Sequence, residues 1–313
     1  MVKGISYALA ACFIWGLIFI VPQFMEGFSS IEITLGRYFV YGVISLLIFS
    51  RQRFKGFCGY PLSIWLRASM FSLISTIVYY FSVVLALRYS TPAVCTLILG
   101  ISPITIAFYG SWKEKNFCFK SLIPTSLLII LGIVIVNIPK FQLNESSSEY
   151  GLGLIFSVVA LVAWSLYVVE NSKFLKSNPQ VSSNDWTTLI GVSTLGWVIF
   201  FGLISAFVFA NAIEFDKYSY LNQSFIRFAI GCSVLGILCS WLGSYLWNQA
   251  SFYLPVTLAG QLTIFETIFG VLFVYLIAGE MPLQLECVGI IILLGAVIYG
   301  IKVSNKAIPI YQS

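Results

Sequence analysis

The chain has 313 residues, of which 59% are hydrophobic and 9% charged, with a formal net charge of +5 and no histidine. A soluble domain carries about 25% charged residues, so this chain has too little polar surface to cover itself in water. The lack of histidine removes the commonest general base, the commonest transition-metal ligand and every Ser-His triad. No phosphate-cradling Walker loop occurs either. Neither an enzyme nor an ATP-driven machine is expected, and the residues call for no cofactor and no metal.

A spanning helix needs about 20 apolar residues. In chain order the hydropathy predicts ten, near 3–23, 31–50, 64–87, 91–111, 120–138, 151–171, 186–210, 225–248, 255–278 and 286–302. The first begins just after Lys3 and runs to Pro22, too long for a signal h-region, and is expected to be retained. With the N-terminus inside, the inner loops hold Arg51, Arg53, Lys55, Lys113, Lys115, Lys120, Lys173 and Lys176, with Lys3, Lys302 and Lys306 at the ends. The outer loops hold only Lys140 and Lys217, with Arg88 and Arg227 at helix ends. This positive-inside bias predicts cytoplasmic N- and C-termini. The net charge is therefore an orientation signal, and scattered basic residues in short loops do not make a nucleic-acid surface. Of the seven cysteines none forms a C-x-x-C pair, so all are read as free thiols.

The second half repeats the first. Ile129-Ile130-Leu131-Gly132-Ile133-Val134 matches Ile292-Leu293-Leu294-Gly295-Ala296-Val297, and the same register pairs Pro92 with Pro255. Ala11-Cys12-Phe13-Ile14-Trp15-Gly16 resembles Ala160-Leu161-Val162-Ala163-Trp164-Ser165 in a different register, so the second half carries insertions between. Gly132 and Gly295 are read as close-packing positions. Five spans per half is an odd number, so the second copy enters the membrane inverted, the architecture of transporters built around a central site. The expected fold is all-α integral membrane: ten transmembrane helices as two inverted five-helix repeats. The divisions are 1–141 for the first repeat, 142–150 for a polar external linker, 151–302 for the second repeat and 303–313 for a cytoplasmic tail.

The chain resembles the drug/metabolite transporter superfamily, in particular its ten-helix EamA-type members. The resemblance is carried by the Trp15 and Trp164 helices, by Arg37, and by Ala86-Leu87-Arg88-Tyr89-Ser90-Thr91-Pro92-Ala93 leading into the proline segment Leu97 to Thr105. Leu99 to Gly110 and Ala259 to Thr267 are similar to the YddG-type aromatic amino-acid exporters. That resemblance implies a cavity lined mainly by spans one, three, four, six, eight and nine. It also implies alternating access, and export of aromatic or other hydrophobic amino acids. Other small metabolites, nucleoside-like, cationic or drug-like, are the alternative, and a non-transporting structural or signalling membrane protein is the rival from another class. Expected partners are a small-molecule substrate, the lipid bilayer and protons as the candidate coupling ion. No nucleic acid is expected, and the oligomeric state is a monomer or weak homodimer.

Glu266 is the sharpest single residue. It stands mid-way along the ninth span, where the repeat register has Pro103 in the first half. An acid at mid-bilayer costs about 2.5–3.5 kcal/mol on insertion scales, so it is read as meeting a substrate amine or carrying a coupling proton; the alternative is a bond to Thr263 or another helix. Gln261 suits a zwitterion or a helix–helix bond. Arg37 is read first as structural, snorkelling or pairing with Glu32, with a substrate carboxylate as the alternative. Trp15 and Trp164 lie deep in their helices, where an indole N–H needs a partner or a wet cavity, and are placed on opposite walls. Tyr79 and Tyr80 are adjacent and point about 100° apart, so one of them is expected to face the cavity squarely. In the eighth span, Ser240 and Ser244 share one face and Trp241, Tyr245 and Asn248 another, read as a polar lining or as back-bonded side chains. Pro103 is expected to kink the fourth span and gate it, with Ser102 beside the freed carbonyl. The substrate-binding set is thus Trp15, Tyr79, Tyr80, Ser102, Trp164, Ser244, Asn248, Gln261 and Glu266, with Glu266, Pro103 and Arg37 as coupling or gating residues.

Overall fold

The computed structural model describes residues 1–51, 60–89, 95, 98–114, 119–138, 150–208, 222–279, 281 and 283–307. All regular structure among them is helical. Helix α1 (Val2–Gly16) ends in two 3-10 turns, Leu17–Phe19 and Val21–Phe24, and α2 covers Ser30–Arg51. A π turn (Leu73–Val78) joins α3 (Leu62–Ser72) to α4 (Tyr79–Tyr89). Then follow α5 (Ser102–Glu114), α6 (Phe119–Asn137), α7 (Tyr150–Ser177) and α8 (Ser183–Val208). A longer π segment (Val234–Leu242) joins α9 (Gln223–Ser233) to α10 (Gly243–Tyr253). The last elements are α11 (Val256–Leu262), α12 (Ile264–Ala278) and α13 (Gln284–Ala307).

Among the described residues seven helical stretches are long and apolar enough to cross a membrane, with shorter apolar runs at Ile123–Ile135 and Cys287–Gly300. Pro92 and most of the first half of the predicted fourth span lie outside the described residues, as do Cys58 and Cys118. Local sequence sets several ends. Ser29 and Glu32 form a capping box at α2, where the Glu32 carboxylate accepts from the Ser29 amide at 2.7 Å and the Glu32 amide donates back to the Ser29 hydroxyl. Asn222 caps α9 by accepting from the Ser224 amide. Gly279, at φ 67°, ends α12 in the left-handed conformation that glycine tolerates. The outward-facing side chains are apolar: Leu203, Phe207, Leu276 and Ile291 are 67, 88, 75 and 67% exposed. In water such a surface would aggregate; in lipid it is the solvated face.

Ring contacts fix the directions of the helices. Tyr7 meets Tyr253 while Trp15 meets Trp247 and donates to Cys239, so α1 runs antiparallel to the π-linked α9–α10 helix. Phe28 stacks on Phe228 at 4.0 Å and Arg37 reaches Ser240, so α2 runs parallel to it. Tyr89 meets Phe156 and Phe71 meets Phe174, which sets the α3–α4 helix antiparallel to α7. The described basic residues Lys3, Arg51, Arg67, Lys113, Lys173, Lys176 and Lys302 thereby gather at one end of the bundle, as the loop charges predict.

Helix α6 lies along α13, and the two glycines of the repeat behave differently there. A Cβ on Gly132 would sit 2.7 Å from Leu293 and 3.1 Å from the Gly289 carbonyl oxygen, whereas one on Gly295 would meet nothing within 4 Å. Close packing therefore explains Gly132 and not Gly295, because the crossing point is not centred on the repeat axis. Gly132→Ala is expected to destabilise the folded protein by about 1–3 kcal/mol, the usual range for overpacking, and Gly295→Ala by much less. Thermal unfolding in detergent measures the difference; equal losses would place the crossing elsewhere.

Candidate functional site

The centre of the bundle encloses a cavity of about 400 Å³, within the size range of small-molecule sites. It is bordered by Trp15, Arg37, Tyr38, Tyr41, Tyr79, Tyr80, Ser102, Pro103, Trp164, Tyr167, Ser240, Ser244, Trp247, Thr263, Glu266 and Thr267, among others. The two π segments help build it. A π turn widens the helix and shifts which residues face inward. The Leu73–Val78 turn brings Ser75 and Thr76 to the wall, and the Val234–Leu242 segment brings Cys239 and Ser240 there.

One wall is aromatic. Trp164 lies 5.1 Å from Tyr79, 5.6 Å from Tyr167 and, edge to face, 6.0 Å from Trp15. The Trp15 indole N–H donates to the Cys239 carbonyl at 2.8 Å, which fixes its ring. The two tryptophans are thus neighbours on one wall and not partners across the cavity, because α1 and α7 both lean inward at this level. Tyr79 and Tyr80 both border the cavity. It is wide enough to meet two side chains about 100° apart, with Tyr80 packed edge-on to Tyr38 at 6.4 Å.

The polar features are few and charged. Arg37 does not pair with Glu32, whose carboxylate is engaged with Ser29 in capping. Its Nε donates to the Ser240 hydroxyl at 2.9 Å, and its guanidinium lies 5.1 Å from the Tyr38 ring centre. An arginine seven residues into α2 is drawn inward because the cavity, and not lipid, lies beside it. Glu266 sits in the first turn of α12, where the helix dipole favours a negative charge. The ninth span is broken at Thr263, so Glu266 stands at a helix start and not in mid-helix. The Thr263 hydroxyl donates to the Gly260 carbonyl at 2.6 Å, so it is not spent on Glu266. Arg37 and Glu266 act on each other electrostatically across the cavity, and among the described residues they do not close into an ion pair. The fourth span breaks at the matching place: Gly100 and Ile101 form a turn, and Pro103 follows in the first turn of α5. Pro103 therefore starts a helix, where its missing N–H costs little, and does not kink a continuous one.

Asn248 and Gln261 lie off the cavity. Asn248 is fully buried, accepting from Asn171 Nδ2 and donating to Thr187 Oγ1, both at 2.9 Å. Asn171 in turn accepts from the Trp186 indole at 2.7 Å. The Ser240–Ser244–Trp247 face of the eighth span is the one that borders the cavity, while Trp241 and Tyr245 stack on each other at 5.8 Å. Gln261 belongs to α11, whose seven residues are all buried in helix packing, and it lies against Gly300 of α13. Sequence reasoning missed Tyr38, Tyr41, Tyr167 and Trp247. Tyr38 and Tyr41 share the helical face of Arg37, a signal that was present; Trp247 was hidden by the π segment.

Between the cavity and the basic end of the bundle lies a polar layer. Lys113 pairs with Glu170 at 3.0 Å, and the Tyr109 hydroxyl donates to the same carboxylate at 2.5 Å. The Asn171–Asn248–Thr187–Trp186 network lies beside it, and the Tyr41 hydroxyl donates to the Thr187 carbonyl.

An all-helical bundle with a charged, aromatic-walled cavity and a lipid-facing exterior defines a multi-pass membrane protein. Residues 2–138 match the model of the EamA-like transporter family. The Escherichia coli K12 inner membrane protein YtfF is 29% identical over 324 residues, covering 100% of this chain and 99% of its own. An uncharacterized transporter of Archaeoglobus fulgidus is 24% identical over 233 residues, 74% of this chain and 75% of its own. A solved crystal structure superimposes with a TM-score of 0.77 over 98% of this chain and 99% of its own, at 14% identity, a likeness of fold alone.

Proposed function

We propose that this chain is an EamA-type secondary transporter of the inner membrane that carries zwitterionic amino acids with aromatic or hydrophobic side chains. The observation that carries this reading is the pairing of Arg37 and Glu266 on one aromatic-walled cavity. A guanidinium matches a carboxylate and a carboxylate matches an ammonium, while the tryptophans and tyrosines offer faces for an apolar or aromatic side chain. A lone cation would suit Glu266 but meet repulsion from Arg37. The favoured direction is export, and Glu266 is the candidate carrier of a coupling proton.

The pattern of helix contacts supports alternating access by two related halves. Exchanging the halves maps the α2–α8, α5–α11 and α6–α13 contacts onto themselves, and maps α4–α7 onto α10–α1. The π segments fall in corresponding spans, and the breaks at Gly100–Ile101 and Thr263 fall at corresponding positions. In this reading the Lys113–Glu170–Tyr109 cluster holds the cytoplasmic end closed. The repeat registers place Leu276, Val21 and Leu272 at the equivalent outer positions, so the ionic lock is one-sided. Its two charged side chains are 30 and 29% exposed. A pair so placed contributes only about 0–1 kcal/mol to stability, yet 1 kcal/mol moves a two-state equilibrium about fivefold. Glu170→Gln is expected to lengthen the distance between spin labels at Trp112 and Ser177 in a larger fraction of molecules, without a large change in melting temperature. An unchanged distance distribution counts against the lock.

The functional reading is tested by counterflow of labelled phenylalanine and tryptophan into proteoliposomes at two pH values. Saturable exchange, competed by the zwitterion better than by phenylalanine amide or by 3-phenylpropionate, is expected. No exchange from folded protein would remove the amino-acid reading.

A further inference from the structure

Trp247 is almost wholly buried, borders the cavity, and carries an indole N–H with no acceptor among the described residues. The other deep indoles differ. Trp15 donates to Cys239, Trp186 to Asn171 and Trp197 to the Ser69 carbonyl. Trp241 also lacks an acceptor, but it lies off the cavity, stacked on Tyr245. A buried donor without a partner is unfavourable, and beside a cavity the natural acceptor is what fills it.

The position of this donor gives it a meaning. Ser240, Ser244 and Trp247 follow one another at four- and three-residue spacing, so they form one stripe along the eighth span. Arg37 is bonded to Ser240 at one end of that stripe. Trp247 stands at the other, about 10 Å further along the helix axis. It lies toward the basic end of the bundle, with Trp15 5.4 Å away, and Tyr167 also borders the cavity.

We infer that Trp247 reads the far tip of the substrate side chain, and that the site prefers a hydroxyaryl amino acid over its unsubstituted counterpart. This rests on the proposed substrate site. The carboxylate lies at Arg37, the ring runs along the stripe beside the tryptophans, and the ring hydroxyl accepts the Trp247 N–H. Without that hydroxyl the donor stays unpaired, which is the situation in which polar sites discriminate strongly.

The test is counterflow of tyrosine, phenylalanine and 4-methylphenylalanine by the wild type, and of the first two by Trp247→Phe. In the wild type, tyrosine is expected to exceed both others in kcat/KM by about tenfold. The methyl analogue separates hydrogen bonding from size. In the variant the tyrosine-to-phenylalanine ratio is expected to fall toward one, whatever the absolute rates. Phenylalanine flux with no tyrosine preference overturns the inference and leaves the transport reading standing. A preference that survives Trp247→Phe also overturns it. Absence of flux for all three amino acids removes both readings. Should the variant fail to fold, the wild-type comparison with 4-methylphenylalanine decides.

Discussion

Arg37→Gln and Glu266→Gln are expected to weaken zwitterion binding by at least ~30-fold each, but with opposite selectivity. The guanidinium and the carboxylate face one cavity without neutralising each other directly. Each is therefore available to an opposite charge in surroundings of low dielectric, where truncating one partner of a buried charge pair costs about 2–5 kcal/mol. Every 1.4 kcal/mol is tenfold in affinity. Arg37→Gln should spare competition by amine-only analogues such as phenethylamine, and Glu266→Gln should spare carboxylate-only analogues such as 3-phenylpropionate. Competition against labelled phenylalanine measures both. Equal losses for all analogues would make the two residues structural. If Glu266 also carries the coupling proton, Glu266→Gln flattens the pH dependence of net transport while Arg37→Gln does not.

The second large effect is expected at the buried amide network. Asn171→Ala strands the Trp186 indole N–H, which donates to it at 2.7 Å, and the Asn248 carbonyl oxygen, which accepts from it at 2.9 Å. Asn248→Ala strands the Asn171 amide and removes the bond to Thr187. Each orphaned buried group costs about 1–3 kcal/mol, so a loss of about 2–5 kcal/mol is expected for either variant. The readout is thermal unfolding in detergent. A variant of Asn248 that folds with wild-type stability yet loses only substrate affinity would return this residue to the binding set. Opening the cytoplasmic end in the transport cycle must also loosen this layer, so a milder replacement, Asn171→Asp or Asn248→Asp, is expected to raise the exchange rate before it abolishes folding.

Much of this molecule was legible in one dimension because membrane proteins obey a severe rule: every backbone group must find a partner inside the helix. Hydropathy therefore marks helical spans, and loop charge marks their orientation, with no knowledge of packing. Glu266, Trp15 and Trp164 stood out for the same reason, since a carboxyl or an indole at mid-depth has few ordinary uses. The sequence by itself thus determined an all-helical membrane chain, the end at which its basic residues gather, and the charged and aromatic residues worth following inward. Only the tertiary structure decided which side chains meet. The Val234–Leu242 π segment shifted the face of the eighth span, bringing Trp247 to the cavity and Asn248 into a buried amide network. The break at Thr263 moved Glu266 to a helix start and left Gln261 packed against α13. Arg37 turned from the interface to Ser240, and Lys113 found Glu170 on another helix. Periodicity describes one helix at a time, whereas a cavity is made by several, and a single extra residue in a turn rotates everything beyond it by about 100°.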